Sequence, residues 1–147
     1  MMRTKSGKWF EVKVSYDKVM EDGNEKKAIE TYVVEALSFT EAEAIIIREM
    51  QEYISGDFSV MNINPMKFKE VVFDDREPTV YYYKAKLMFI TLDEKTEKEK
   101  RTPVYYLVQA TSFDNCKNTI RQLMDSTMID YQITSVSETN IMDVFEV

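Results

Sequence analysis

The stretch Tyr32-Val33-Val34-Glu35-Ala36-Leu37-Ser38-Phe39 returns as Tyr106-Leu107-Val108-Gln109-Ala110-Thr111-Ser112-Phe113, at a constant offset of 74 residues. A repeat constrains a fold more than any single motif, because each copy is one supersecondary unit that must bury its apolar face against something. The correspondence extends downstream, with Ala42, Ile46 and Met50 meeting Cys116, Ile120 and Met124. At an offset of 73, Phe58, Val60 and Ile63 then meet Tyr131, Ile133 and Val136, and upstream Phe10, Val12, Val14 and Tyr16 meet Tyr83, Ala85, Leu87 and Phe89.

Periodicity changes in the same order in both copies. Phe10, Val12, Val14 and Tyr16 alternate with Glu11, Lys13 and Ser15, the period-two pattern of a half-buried strand. Glu21-Asp22-Gly23-Asn24 carries an Asp-Gly turn signal, and the strand returns over residues 28–36. The second copy does this over residues 81–91 and 104–110 around a charged turn at 93–101, with Pro103 at a strand start or edge. The period then becomes 3.6: Ser38 and Glu41 make a capping box, and Phe39, Ala42, Ile46, Met50 and Tyr53 form one apolar stripe. Ser112 opens the equivalent helix, but Asn115 replaces the capping-box glutamate, so this cap is expected to be the weaker. The helices are predicted over 39–54 and 113–127. Two short strands follow each, over 58–63 and 68–73 and over 131–136 and 141–145, with breaks at Asn64-Pro65 and Ser137-Glu138.

The expected fold is therefore α+β. It is an internal duplication of a β-β-α-β-β unit over approximately 8–73 and 80–146, joined by Asp74-Asp75-Arg76-Glu77-Pro78. Each copy alone is near the lower size limit for a stable core, so the copies are expected to fuse into a single domain over 1–147. A pseudo-two-fold axis would relate them, and two helices against about eight strands would lie on one side or one apiece.

Composition removes most chemistries. The 147 residues contain no histidine and one cysteine, Cys116, so a histidine general base, a Cys/His dyad and an intramolecular disulfide are impossible, and no zinc cluster forms. Cys116 corresponds to Ala42 on an apolar helix stripe, where a thiol behaves as a small hydrophobe. Glu41 and Glu43 stand in a first helical turn, Asp74 and Asp75 in a connector, and Glu97 and Glu99 among lysines, and none forms a catalytic motif. Three scattered glycines build no phosphate cradle. No catalytic residue, metal ligand or cofactor is assigned, and the chain reads as a non-enzyme; a carboxylate- or lysine-based hydrolase is the rival. A net charge of -7 disfavours nonspecific nucleic-acid binding. Residues 1–8 are short and polar and no apolar run is long enough for a membrane span, so a cytoplasmic setting is expected.

The same alternation that points Phe10 and Tyr83 to the core points Trp9, Glu11, Lys13, Tyr82, Lys84 and Lys86 the other way, together with Val33, Tyr105 and Leu107 on the returning strands. This second face is too apolar to stay wet. Packing between the copies or a homo-oligomer interface is one reading, and with the exposed edges of four or more strand-like runs per half it makes a homo-oligomer the expected state. The other is a binding site formed by Trp9, Tyr82, Lys84, Lys86 and Tyr105, for a protein partner or for a nucleotide-like small molecule stacked on a ring with a lysine on its phosphate.

The run Lys8-Trp9-Phe10-Glu11-Val12-Lys13-Val14, with Tyr32-Val33-Val34-Glu35-Ala36 and Ser38-Phe39-Thr40-Glu41-Ala42, resembles an uncharacterised domain-of-unknown-function family of gut bacteria and their bacteriophages. The resemblance covers most of the chain and transfers no site residues. It implies a phage-linked or mobile-element accessory protein that binds a host protein or sequesters a signalling molecule.

Overall fold

The computed structural model describes residues 2–74 and 80–147. In chain order the elements are β1 (Met2–Lys5), β2 (Trp9–Val19), β3 (Glu25–Glu35), α1 (Phe39–Tyr53), β4 (Phe58–Met66), β5 (Glu70–Asp74), β6 (Tyr81–Leu92), β7 (Glu99–Ala110), α2 (Phe113–Asp125), β8 (Asp130–Glu138) and β9 (Ile141–Phe145). The class is mixed α+β, dominated by strands. The expected connector begins within β5 at Asp74, and its residues 75–78 lie outside the described ones.

The strands form two sheets rather than one of about eight, in the orders β4-β2-β3-β9 and β1-β5-β7-β6-β8. Contacts divide the chain into two compact units, an α1 unit of residues 7–67 and 140–147 and an α2 unit comprising the described parts of 1–6 and 68–139. The order strand, strand, helix, strand, strand occurs twice after β1, and each time its last strand goes to the other sheet. β5 pairs in parallel with β7, and β9 pairs in parallel with β3. Neither half of the chain thus completes a sheet from its own strands. Periodicity shows which face of a strand is buried but is silent about its hydrogen-bond partner, which is why this exchange is absent from the sequence pattern.

Each unit places one helix on one sheet. In the α1 unit, Phe10, Val12, Val14, Tyr32, Val34 and Ala36 meet Ala42, Ile46 and Met50. In the α2 unit, Tyr83, Ala85, Leu87, Tyr106, Val108 and Ala110 meet Cys116, Ile120 and Met124. The helix entries are built alike. Phe39 packs edge-on against Phe10 (5.1 Å, 63°) and Phe113 against Tyr83 (5.0 Å, 62°). The Ser38 and Ser112 hydroxyls accept from the amides of Glu41 and Asn115, each at 3.1 Å. Asn115 does more than its sequence position suggests: its Oδ1 accepts from Thr111 N at 3.0 Å, so the second cap has a reciprocal bond of its own.

Several boundaries fall differently from expectation. β4 runs through Asn64-Pro65 and β8 through Ser137-Glu138, so both breaks come later. Pro65 is tolerated because β4 is an edge strand, where a missing N–H need not cost a ladder bond. β1 was not expected, because Met-Arg-Thr-Lys is short and polar; it forms by pairing Met2 to Lys5 with Asp74 to Val71. Among the described residues, no helix is long and apolar enough to cross a membrane.

Candidate functional site

The β2–β3 hairpin is closed by Met20 N donating to Asn24 O (2.8 Å) and Gly23 N to Met20 O (2.9 Å), with Gly23 at φ 84°, a conformation glycine adopts without a Cβ penalty. Met20 with Asn24, and Ala36 N with Lys8 O at 3.1 Å, fix the bonding phase. The even-numbered residues of β3 therefore exchange hydrogen bonds with β2, and the odd-numbered ones aim their N–H and C=O at the opposite edge.

That opposite edge is covered only in part. β9 pairs with Thr31, Tyr32, Val33 and Val34, and among the described residues no strand lies beside residues 25–30 on that side. The backbones of Lys27 and Ile29 point into this stretch. A depression of about 370 Å³ occupies it, lined by Lys18, Met20, Lys26, Ile29 and Met142 among others. Met20 is 42% exposed, Ile29 55% and Met142 56%, so the lining is a wet apolar patch. Three lysines, Lys18, Lys26 and Lys27, border it against one acid, Glu30. Glu30 is itself engaged: Tyr32 Oη donates to its Oε1 at 3.1 Å, and Tyr16 also bonds to it. Burial, then Glu30, raises the Tyr32 phenol above its ordinary range, and the same causes raise Tyr16. Both phenols stay neutral donors, and among the residues lining the slot lysines outnumber acids three to one, in a chain of net charge -7.

On the α2 unit, Lys84 Nζ and Lys86 Nζ stand 5.1 and 6.0 Å from the centroid of the Tyr105 ring, so these three do come together. Tyr82, on the same sheet face, is only 5% exposed and its Oη accepts from Gln109 Nε2 at 3.4 Å. Trp9 belongs to the α1 unit and is 1% exposed, and among the described residues its Nε1 has no hydrogen-bond partner. Both rings are thus removed from solvent in a single chain. Alternation in sequence marks faces and not edges, so it does not show the β3 slot. Its signal is present nonetheless: at the offset of 74, Ile29 corresponds to Pro103.

Cys116 is fully buried, and burial pushes its thiol up to about 12 against a smaller downward pull from Lys117, so the thiolate is scarce at neutral pH. Among the described residues no group of three His, Cys, Asp or Glu side chains could hold a metal ion.

A family model, described as a domain of unknown function (DUF4494), matches residues 8–147. The chain belongs to the DUF4494 family. The DUF4494 match begins one residue before β2 and takes in both hairpins and both helices, so the β3 slot and the Lys84, Lys86 and Tyr105 cluster lie inside the family domain, whereas β1 lies outside it. No curated protein and no solved structure matches the chain.

Proposed function

We propose that this DUF4494 domain is a non-catalytic binding module that engages a protein partner through the slot beside β3. The observation that carries this reading is the exposed Met20, Ile29 and Met142 set round a depression bordered by Lys18, Lys26 and Lys27. Apolar area at the centre with charge at the rim is the usual make-up of a protein-binding patch, and methionine adapts its shape to a partner. The raised Cys116 thiol supports the non-catalytic part. The proposal includes a cytoplasmic setting, supported by the single cysteine, and a phage-linked or mobile-element origin with a host protein as partner, supported by the resemblance quoted above. It also includes an internal duplication, supported by the matched caps, the paired Phe39 and Phe113 ring contacts, and the register shifts at Lys13/Val14 and Lys86/Leu87, 73 residues apart.

A photo-cross-linking residue at Met20, compared with one at the exposed Leu92 of the α2 unit, tests the site in cells that contain the partner. The expected result is one discrete protein adduct from position 20 and none from position 92. Equal labelling from both positions, or none from position 20, would overturn it.

A second reading is favoured by one observation, the two ammonium groups over the Tyr105 ring, which suit a planar anionic ligand such as a nucleotide-like signal. A saturating small ligand at a hundred times its Kd adds about 2.7 kcal/mol of stability, so a thermal-shift screen of nucleotides separates the two readings. The protein-partner reading expects no shift. A shift lost on Lys84→Ala would replace it with the small-molecule one.

A further inference from the structure

The β2–β3 and β6–β7 hairpins end in the same situation and resolve it differently. β5 pairs with β7 only at Tyr106, Leu107 and Val108, with Lys69 N donating to Tyr105 O, so residues 99–104 of β7 extend past their neighbour just as residues 25–30 of β3 do. The bond from Asp93 N to Lys98 O sets the phase of this hairpin, and the odd residues of β7 face outward. Pro103 is one of them. It removes an outward-facing donor from the uncovered edge of β7, a common way of blocking edge pairing. The corresponding residue of β3 is Ile29, which keeps its N–H and lies in the apolar slot. One edge is closed by proline and the other is open.

We propose that residues 25–30 of β3 form a strand-addition site that takes an extended acidic segment of a partner protein, laid beside β3 in the space that continues the line of β9. This rests on the reading of the slot as a protein-binding site and adds its mode and its partner chemistry. Backbone bonds to Lys27 and Ile29 supply affinity, and the side chains at the edge supply selection. Lys18, Lys26 and Lys27 select for acid. They also work against a second copy of the chain, whose own edge would bring the same lysines.

The test is fluorescence anisotropy with a fluorescein-labelled octapeptide of alternating glutamate and valine, and with its lysine-for-glutamate counterpart. The wild-type chain is expected to bind the glutamate peptide and not the lysine one. Ile29→Pro, which leaves the β2 bonds of residues 28 and 30 in place, is expected to weaken binding at least about tenfold with circular dichroism unchanged, whereas Ile29→Thr, which keeps the amide, weakens it less. Should Ile29→Pro fail to fold, the surface variant Lys26→Glu/Lys27→Glu carries the test, with the same loss expected. A glutamate peptide left unbound at about 1 mM, or a lysine peptide bound equally well, would overturn the proposal. Unchanged binding by folded Ile29→Pro with loss in Lys26→Glu/Lys27→Glu would overturn strand addition and keep the slot. Unchanged binding in both variants would remove the slot as well. Self-association of the wild type abolished by Ile29→Pro would make the occupant a second copy and overturn the foreign strand.

Discussion

Cys116 sits on the α2 stripe where the first helix has Ala42, and its burial has a consequence for stability at high pH. Its pKa rises from 9.0 to about 12, and that of Tyr106 rises from 10.0 to about 12 through burial and then the charge of Glu70. Both groups ionise more readily in the unfolded chain. Their contribution is therefore whole below pH 9 and is lost as pH climbs from there toward 12, because the unfolded state releases protons first. Between pH 9 and 10 the loss comes chiefly from Cys116, at no more than about 1.4 kcal/mol per pH unit for one group. Denaturant melts of wild type and Cys116→Ala over this range are expected to show a shallower pH slope in the variant; parallel slopes would contradict the account. The role of this residue was legible in the sequence because its partner in the other copy is alanine. Trp9 and Tyr82 were legible only as second-face residues, since alternation assigns a side but not the degree of burial.

At the scale of elements, both helices are seated by the same three-residue stripe, with Ile46 and Ile120 each fully buried at the centre. Removing either side chain leaves a cavity against its own sheet, so Ile46→Ala and Ile120→Ala are each expected to cost about 2–5 kcal/mol in denaturant unfolding. A cost below about 1 kcal/mol at either position would mean that helix is not held as described. The 3.6 period and the serine caps placed these helices to within two residues, at Phe39–Tyr53 and Phe113–Asp125. Strand ends were read less well. Asn64-Pro65 looks like a break because proline interrupts a central strand, whereas β4 lies at the edge of its sheet, and nothing local in the sequence says which strands are edges.

For the whole molecule, the reciprocal placement of β5 and β9 makes each sheet depend on the last strand of the other half. Removing residues 140–147 takes away the parallel partner of β3 and the Phe145 ring stacked on Tyr32 at 5.6 Å. The truncated chain is expected to melt several degrees lower, by the size scaling of about 2–8 °C per kcal/mol, and an unchanged Tm would contradict the pairing. A homo-oligomer is expected on two grounds, an apolar sheet face in need of cover and several strands per half with exposed edges. Trp9, Val33, Val71 and Leu107 are buried, and sedimentation tests assembly directly: a mass above 17.3 kDa is expected, and a mass near 17.3 kDa over the micromolar range would contradict it. What the repeat could not reveal was the open edge, because a hydrogen-bond vacancy belongs to the backbone and shows in the sequence only as the mismatch of Ile29 with Pro103. The central claim is that this edge of β3 is free until a partner strand fills it, and residue-resolved amide hydrogen exchange measures that directly. In the free protein the Lys27 and Ile29 amides are expected to exchange at rates close to those of an unstructured peptide, unlike the protected Ala28 and Glu30, and to slow when the partner strand is added. Protection of Lys27 and Ile29 equal to that of Ala28 and Glu30 in the free protein would contradict the account.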